Sequence, residues 1–188
     1  CNFGEKPDQK NYRVVYHPET DKSVTPEQVS ALGAPGLVDD YRTSPLEEEL
    51  AIYAQRADSS ANDRSFVFED AFRAAVQAVM GVDMGEKKSY EFLDEDAYDE
   101  LFESFLETDD GCMNGGHWML GYPSFTQEDP RSEDSPFDTL LLQIDSMRDE
   151  DGGNPILWGD CGVCNFFIAR TDLEKLDFSR VLYNWDCC

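Results

Sequence analysis

The hydrophobic positions in the first half of the chain follow a helical period. Phe72 lies in the middle of an apolar stripe at helical spacing, and Gly81 follows the stripe as a stop, which predicts an amphipathic helix. A second apolar stripe predicts a helix over residues 94–106. The Ser-Pro-Leu-Glu sequence beginning at Ser44 has the residues of a helix start and predicts a helix over residues 44–56. The members of the first stripe are Phe68, Ala71, Phe72, Ala75, Val76, Val79 and Met80.

Short apolar runs alternate with turn signals in the second half, which is the pattern of antiparallel strands. Strands are predicted over residues 140–144, 163–169 and 181–186. The glycines on either side of the Asp160-Cys161 pair predict a tight hairpin that joins residues 156–158 to the middle strand. In the last strand, alternate residues point to opposite faces. One side carries Val181, Tyr183 and Trp185, and the other carries Leu182, Asn184 and Asp186.

Weaker signals place four further features. Residues 12–16 are a strand candidate, and the capping-box spacing from Thr171 predicts a short helix that begins at Asp172. The loop at 127–136 is too polar to bury. Gln143 interrupts an apolar strand, so its amide needs partners, because an unpaired buried amide costs about 1–3 kcal/mol.

Four motifs in the second half, taken in order, resemble one known family. They resemble the YwqG-like family of bacterial proteins of unknown function, best over residues 116–188 and only loosely over residues 44–107. The motifs are Gly116-His117-Trp118-Met119-Leu120-Gly121-Tyr122-Pro123 with Gln127, Leu141-Leu142-Gln143-Ile144-Asp145, Trp158-Gly159-Asp160 with Asn165-Phe166-Phe167-Ile168, and Asp172-Leu173 with Asp177-Phe178-Ser179.

This resemblance implies an α+β fold with a two-part organisation. We expect one domain over residues 1–188, with an antiparallel β-rich sheet or roll over 116–188 and helices from 44–107 packed on one face. Members of the family usually carry an upstream half with its own apolar-Gln-apolar-Asp strand, and this chain begins after it. An upstream segment of the same polypeptide, or a homodimer, is therefore expected to cover the open face of the sheet.

The charge of the chain narrows the choice of partner. Lys and Arg total 15 against 40 Asp and Glu, which gives a net charge of −25. A field of this sign repels nucleic acid and anionic membranes, and no apolar run is long enough to span a bilayer. A basic protein or a cation is the favoured partner, while solubility alone is the simpler explanation of the charge. On the predicted helix 94–106, the candidate binding residues Asp99, Glu100 and Glu103 have no basic neighbour in sequence.

The cysteines permit three interpretations. Cys161, Cys164, Cys187 and Cys188 have a spacing that could supply a zinc site or a redox pair. Adjacent cysteines on a strand point to opposite faces, and a strand rather than a helix follows the C-x-x-C motif, so we expect core packing and no cofactor. The late clustering of the cysteines is unlike a secreted disulfide framework and favours the cytoplasm.

His117 is the candidate for acid–base chemistry. A histidine oriented by Asp145 or Asp160 could act as a general base. The simpler interpretations are a structural role for His117 and a turn-forming role for Asp160. Three motif residues, Gln127, Gln143 and Trp158, are candidate binding residues.

The leading hypothesis is a bacterial binding protein whose acidic surface takes a basic partner, such as a toxin that it neutralises. The alternatives are a hydrolase or transferase centred on His117 and Asp160, and a zinc-binding module.

Overall fold

The computed structural model describes residues 12–19, 22–31, 45–46, 50, 52–104 and 112–187. It confirms the predicted α+β fold, with one three-stranded antiparallel sheet and helices. The helices are α1 (Pro26–Ala31), α2 (Phe68–Met80), α3 (Ser89–Phe92), α4 (Glu95–Ser104) and α5 (Arg170–Leu173). The strands are β1 (Thr139–Asp145), β2 (Val163–Ile168) and β3 (Val181–Asp186).

The sheet has the order β1-β2-β3, and its two faces differ in chemistry. A bulge at Leu141 keeps the alternation of β1 in register with β2. The alternation predicted for residues 181–186 is confirmed by the pairing of β3 with β2. We call one side the inner face; it carries Leu140, Gln143, Asp145, Val163, Asn165, Phe167, Leu182, Asn184 and Asp186. The outer face carries Leu142, Ile144, Cys164, Phe166, Ile168, Val181, Tyr183 and Trp185.

An aromatic core fills one end of the inner face. Phe167 and Leu140 pack there with Phe125 and Phe137 from the chain that crosses the sheet, and Trp118 adds to the edge of the cluster. All four core residues are buried, so this cluster supplies apolar burial on the order of 1.5–3 kcal/mol for each side chain.

A buried ion pair lies against this core. Arg131 places its guanidinium 4.0 Å from the ring centroid of Phe167 and donates to Asp129 at 2.9 Å, with the two side chains 4% and 2% exposed. Arg131 also donates to the Phe137 carbonyl at 3.2 Å. The prediction that the loop 127–136 is too polar to bury is therefore wrong here, because the two charges satisfy each other and the guanidinium stacks on an aromatic ring.

Tyr12 covers part of the outer face. Its ring packs on Phe166 and Tyr183, with centroids 6.5 and 5.1 Å apart, and its hydroxyl donates to the Val181 carbonyl. The predicted strand over residues 12–16 is wrong, since this segment is not in a ladder in the described structure. Side-chain contacts hold it against the sheet instead.

The α2 helix is confirmed, but only part of its predicted stripe is buried. Gly81 ends the helix at a φ of 68° and donates its N–H to the Gln77 carbonyl. Phe68 and Val76 are buried and Phe72 is half-buried. The other half of the apolar stripe is exposed, and the relative exposure of Val79 is 84%. This part of the prediction is wrong because the residues packed on α2 lie near its first turns. The exposed members of the stripe are Ala75, Val79 and Met80.

The short α3 helix was not predicted. The Glu69 carboxylate of α2 accepts hydrogen bonds from the Ser89 N–H at 2.9 Å and the Ser89 hydroxyl at 3.0 Å. This contact between side chain and helix start fixes α3 against α2, and no local hydrophobic period signals it. The α4 helix follows at Glu95–Ser104 within the predicted range, and residues 105–107 lie outside the described residues.

The helix predicted over residues 44–56 is wrong where the structure describes it. Leu46 instead forms an antiparallel bridge with Ile156, and the Pro45 carbonyl accepts the Leu157 N–H at 2.7 Å. Residues 52–60 are irregular, and Ile52 is 92% exposed, so no face is available to stabilise a helix.

Two local predictions in the β-rich part also need correction. Residues 156–158 are not the hairpin partner of β2; Ile156 makes isolated bridges and β2 pairs with β1 and β3. The Gly162 N–H donates to the Trp158 carbonyl at 2.7 Å, which turns the chain before a ladder can form. The α5 helix begins at Arg170 rather than Asp172, because the Asp138 carboxylate accepts the Arg170 N–H.

Replacing Phe72 and Phe167 by alanine should have unequal effects on stability. Phe167 is fully buried, so Phe167→Ala should lower the free energy of unfolding by about 3–5 kcal/mol. Phe72 is half-buried, so Phe72→Ala should cost roughly half as much. Urea denaturation of the two variants measures this, and an equal loss in both would contradict the packing described for α2.

Candidate functional site

Five polar side chains lie side by side on the inner face. Gln143, Asn165 and Asn184 are directly opposite one another across the three strands, and Asp145 and Asp186 flank Val163 in the next row. All five have a relative exposure of 0%. We call these residues the inner polar cluster. Because buried polar groups are costly unless they are paired, the hydrogen bonds of this cluster decide its role.

The carboxylate of Asp145 is held by three N–H donors. The Asn114 main chain and side chain donate at 2.6 and 2.8 Å, and the Gly116 N–H donates at 3.0 Å. Gly115 and Gly116 have φ values of 88° and 97°, a conformation that glycine adopts readily and that turns these donors toward the carboxylate. Burial nevertheless raises the pKa of Asp145, although the hydrogen bonds from Asn114 and Gly116 oppose this shift.

Gln143 is hydrogen-bonded at both of its side-chain amide atoms, which confirms the prediction that its amide needs partners. Its Oε1 accepts the Ser124 N–H at 2.7 Å, and its Nε2 donates to the Gly116 carbonyl at 2.7 Å. The Gln143 main chain also exchanges two hydrogen bonds with Trp118. This single residue therefore fixes the path of the chain from Gly116 to Ser124 over the sheet.

The cluster is less well paired toward β3. Asn165 donates to the Ser124 carbonyl at 2.9 Å, but its Oδ1 has no hydrogen-bond partner among the described residues. Asn184 has no partner for either amide atom within the described part of the chain. Asp186 accepts the Gln127 N–H at Oδ2 at 2.8 Å, while its Oδ1 is unpartnered among those same residues. Burial is the main cause that raises the pKa of Asp186.

His117 is placed beside Asp145, but its ring is already engaged. The Asp145 N–H donates to His117 Nδ1 at 3.0 Å, so the neutral ring carries its proton on Nε2. This Nε2 lies 3.4 Å from Cys112 Sγ. Since the only lone pair of the ring is occupied by a main-chain donor, His117 has no free nitrogen with which to act as a general base in this arrangement.

Asp160 does not join His117. It is exposed at the turn before β2, where its Oδ1 accepts the Cys161 N–H at 3.0 Å. Such a contact is typical of a turn-forming aspartate. The structure thus brings together only two of the three residues predicted for acid–base chemistry, and it joins them through the main chain.

Residues 1–187 match the family described as Domain of unknown function (DUF1963). The chain belongs to this family. The search of curated proteins found no match. Neither result supplies an activity, so the function has to be argued from the geometry.

The other predicted binding residues fall into two groups. Gln127 lies against Asp186 and also donates from Nε2 to the Cys187 carbonyl at 2.7 Å, so it is part of the frame of the cluster. Trp158 packs on Trp185 of the outer face, with ring centroids 6.0 Å apart. The acidic candidates are exposed on α4: Asp99, Glu100 and Glu103.

The cysteines lie in different local environments. Cys164 is fully buried on the outer face, and burial, together with nearby Asp186, raises the pKa of its thiol well above the ordinary value. Cys187 lies against the turn at Gly159 and Gly162. Over residues 12–19, 22–31, 45–46, 50, 52–104 and 112–187, no group of three or more histidine, cysteine or acidic side chains has the arrangement of a metal site. Cys188 lies outside the described residues.

The sequence did not single out several of the residues that build this site. Asn114 and Ser124 act through loop contacts that have no local signal. Asn165, Asn184 and Asp186 did have a local signal, because these polar residues alternate along their strands with apolar residues that form the opposite face. That pattern indicates a polar inner face rather than a solvated one.

The helices in the described part of the chain are all too short or too polar to cross a bilayer.

Alkylation should distinguish Cys161 from Cys164. Cys164 is fully buried with a raised thiol pKa, whereas Cys161 is half-buried at the turn. Under native conditions near pH 7.5, iodoacetamide should therefore modify Cys161 well before Cys164, because the thiolate is the reactive form. Peptide mass spectrometry measures the two rates, and the unfolded chain in guanidinium is the control. Fast native labelling of Cys164 would contradict the burial described here.

Neutralising Asp145 should flatten the dependence of stability on pH. A raised folded-state pKa means that the folded chain binds more protons than the unfolded one, so stability falls as the pH rises from about 3.9 through the folded pKa. Asp145→Asn removes this contribution. Asp99→Asn, at an exposed site, makes the same change in net charge and is the matched control.

Urea denaturation between pH 4 and pH 7 measures both variants against the wild type. We expect a smaller loss of stability with pH in Asp145→Asn than in Asp99→Asn. Equal slopes would show that the general repulsion of a strongly acidic chain, and not the buried Asp145, sets the pH dependence.

Proposed function

We propose that this chain is a binding protein that takes a basic protein partner on the acidic face of α4. One observation carries the proposal: Asp99, Glu100 and Glu103 are all exposed, and no Lys or Arg of the described residues lies within 4.0 Å of their carboxylates. This face belongs to a chain whose net charge is −25.

The physical basis is electrostatic attraction at long range. Like charges on one helix face raise the free energy of the unbound protein by small amounts, and an incoming cationic surface relieves this repulsion. Each exposed ion pair contributes little, about 0–1 kcal/mol, so the advantage lies in faster association and in partner choice. A cationic protein fits these requirements, while nucleic acid and anionic membranes do not.

The state of His117 supports binding over hydrolysis or group transfer. Its Nδ1 lone pair is taken by the Asp145 N–H, and Asp160 lies at a separate turn. We favour a form of this function in which binding neutralises the partner, as an immunity protein neutralises its toxin. The YwqG-like resemblance and a cytoplasmic location are part of the same proposal.

Two matched triple variants test where the partner binds. Asp99→Asn, Glu100→Gln and Glu103→Gln together remove the acidic face of α4. Glu128→Gln, Glu133→Gln and Asp134→Asn remove three exposed charges elsewhere and leave the same net charge. Immobilised wild type and both variants are exposed to lysate of the source cells, and the affinity of the captured cationic protein is then measured at about 50 and 200 mM salt.

We expect the α4 variant to bind at least about tenfold more weakly and with a flatter salt dependence, because its charge pairs are lost. The control variant should stay close to wild type. Equal weakening in both variants would mean that only net charge acts, and binding that does not respond to salt would point to an apolar interface; either result would refute the proposed use of α4.

A further inference from the structure

The inner polar cluster is incomplete on the β3 side. Asn184 is fully buried and bonds through neither amide atom within the described residues, and the adjacent Oδ1 atoms of Asn165 and Asp186 are also unpartnered among them. By contrast, Gln143 and Asp145 on the β1 side are hydrogen-bonded at every side-chain polar atom. Unpaired polar atoms in a buried position are costly, so a group that pairs with them is expected.

The unpaired atoms are mainly oxygen acceptors. Asn165, Asn184 and Asp186 each present one oxygen, and the only unpaired donor among these three side chains is the Asn184 amide nitrogen. Cβ atoms of residues directly opposite in antiparallel strands lie about 5 Å apart, and Asp186 is the next residue of β3 on the same face. Three carboxylate and carboxamide oxygens at this spacing are the ligand type that a hard cation prefers.

We propose that Asn165, Asn184 and Asp186 bind a small, singly charged cation in the interior of the protein. The occupant pairs with the acceptor oxygens that the protein leaves open and neutralises the one carboxylate among them. A buried carboxylate with its cation forms a neutral unit, which is far less costly to bury than an isolated charge.

Nearby charges favour a single positive charge over two. Asp186 supplies one negative charge, and Arg64 lies close enough to lower the pKa of Asp186, which offsets part of that charge. The Gln127 N–H donates to this carboxylate, and hydrogen bonding by the backbone and side chain of Thr126 also lowers the pKa of Asp186, so a further part of the negative charge is already offset. Asp145, at the other end of the row, is already engaged by three donors and is not available as a second ligand.

Thermal unfolding in different salts tests the proposal. The probes are NaCl, KCl and NH₄Cl, compared at equal ionic strength with tetramethylammonium chloride, whose cation is too large for an enclosed site. We expect at least one small cation to raise the unfolding midpoint by about 2–4 °C, in a saturable way, because a ligand bound only to the folded state stabilises it.

Variants assign this response to the site. Asn184→Leu replaces the unpaired amide by an apolar side chain of similar size and should abolish the difference between small and large cations. Asp186→Asn keeps the shape of the side chain and an acceptor for the Gln127 N–H, but it removes the negative charge. This variant should also abolish the difference between small and large cations. It serves as the test if Asn184→Leu does not fold. Asp134→Asn alters an exposed acid outside both proposed sites and should respond like the wild type.

Three results would overturn the proposal. Equal midpoints in all four salts would mean that water alone pairs with these buried atoms. A cation response that persists in Asn184→Leu and Asp186→Asn would place the ion elsewhere. A greater stabilisation by CaCl₂ than by any monovalent salt would contradict the charge assigned to the occupant. None of these results depends on the partner proposed for α4.

Discussion

The pairing of buried polar side chains on the inner face determines how the chain wraps around the sheet. Asp145 and Gln143 take hydrogen bonds from Asn114, Gly116 and Ser124, so they fix a long irregular segment that has no repeating hydrogen bonds of its own. Each of these contacts avoids a penalty of about 1–3 kcal/mol for an unpaired buried group. The segment is therefore ordered by specific side chains, and the aromatic core forms where it returns to the sheet.

The same requirement explains why His117 and Asp145 have hydrogen-bond partners within the fold. His117 receives the Asp145 N–H, and the Asp145 carboxylate receives the loop donors, so both have structural partners. Arg131 and Asp129 are another example, because each would leave the other buried and unpaired if removed, at a cost of about 3–5 kcal/mol. Charged and polar residues in this interior act mainly by satisfying one another.

The sequence predicted the elements whose signals are local. The bounds of β3, the alternation of its side chains and the end of α2 at Gly81 follow from period and turn chemistry. Several of the failures involve contacts distant in sequence. Leu46 pairs with Ile156, and Ser89 binds Glu69, and neither contact leaves a local pattern. For the candidate site, Gln143, Asp145 and His117 could be named in advance, but not the donors that occupy them.

The two ends of the inner polar cluster also differ in the kind of loop that covers them. The donors to Asp145 come from a turn with two glycines at positive φ, which can present several N–H groups to one carboxylate. Above Asp186, the Gln127 N–H donates to Oδ2 and Thr126 also faces the carboxylate, while the Gln127 side chain is used on the Cys187 carbonyl. Both oxygens of Asp145 accept hydrogen bonds, whereas Oδ1 of Asp186 has no hydrogen-bond partner among the described residues. In a chain that carries 40 acidic residues, the Asp186 carboxylate is the feature of the interior that most requires a positive partner.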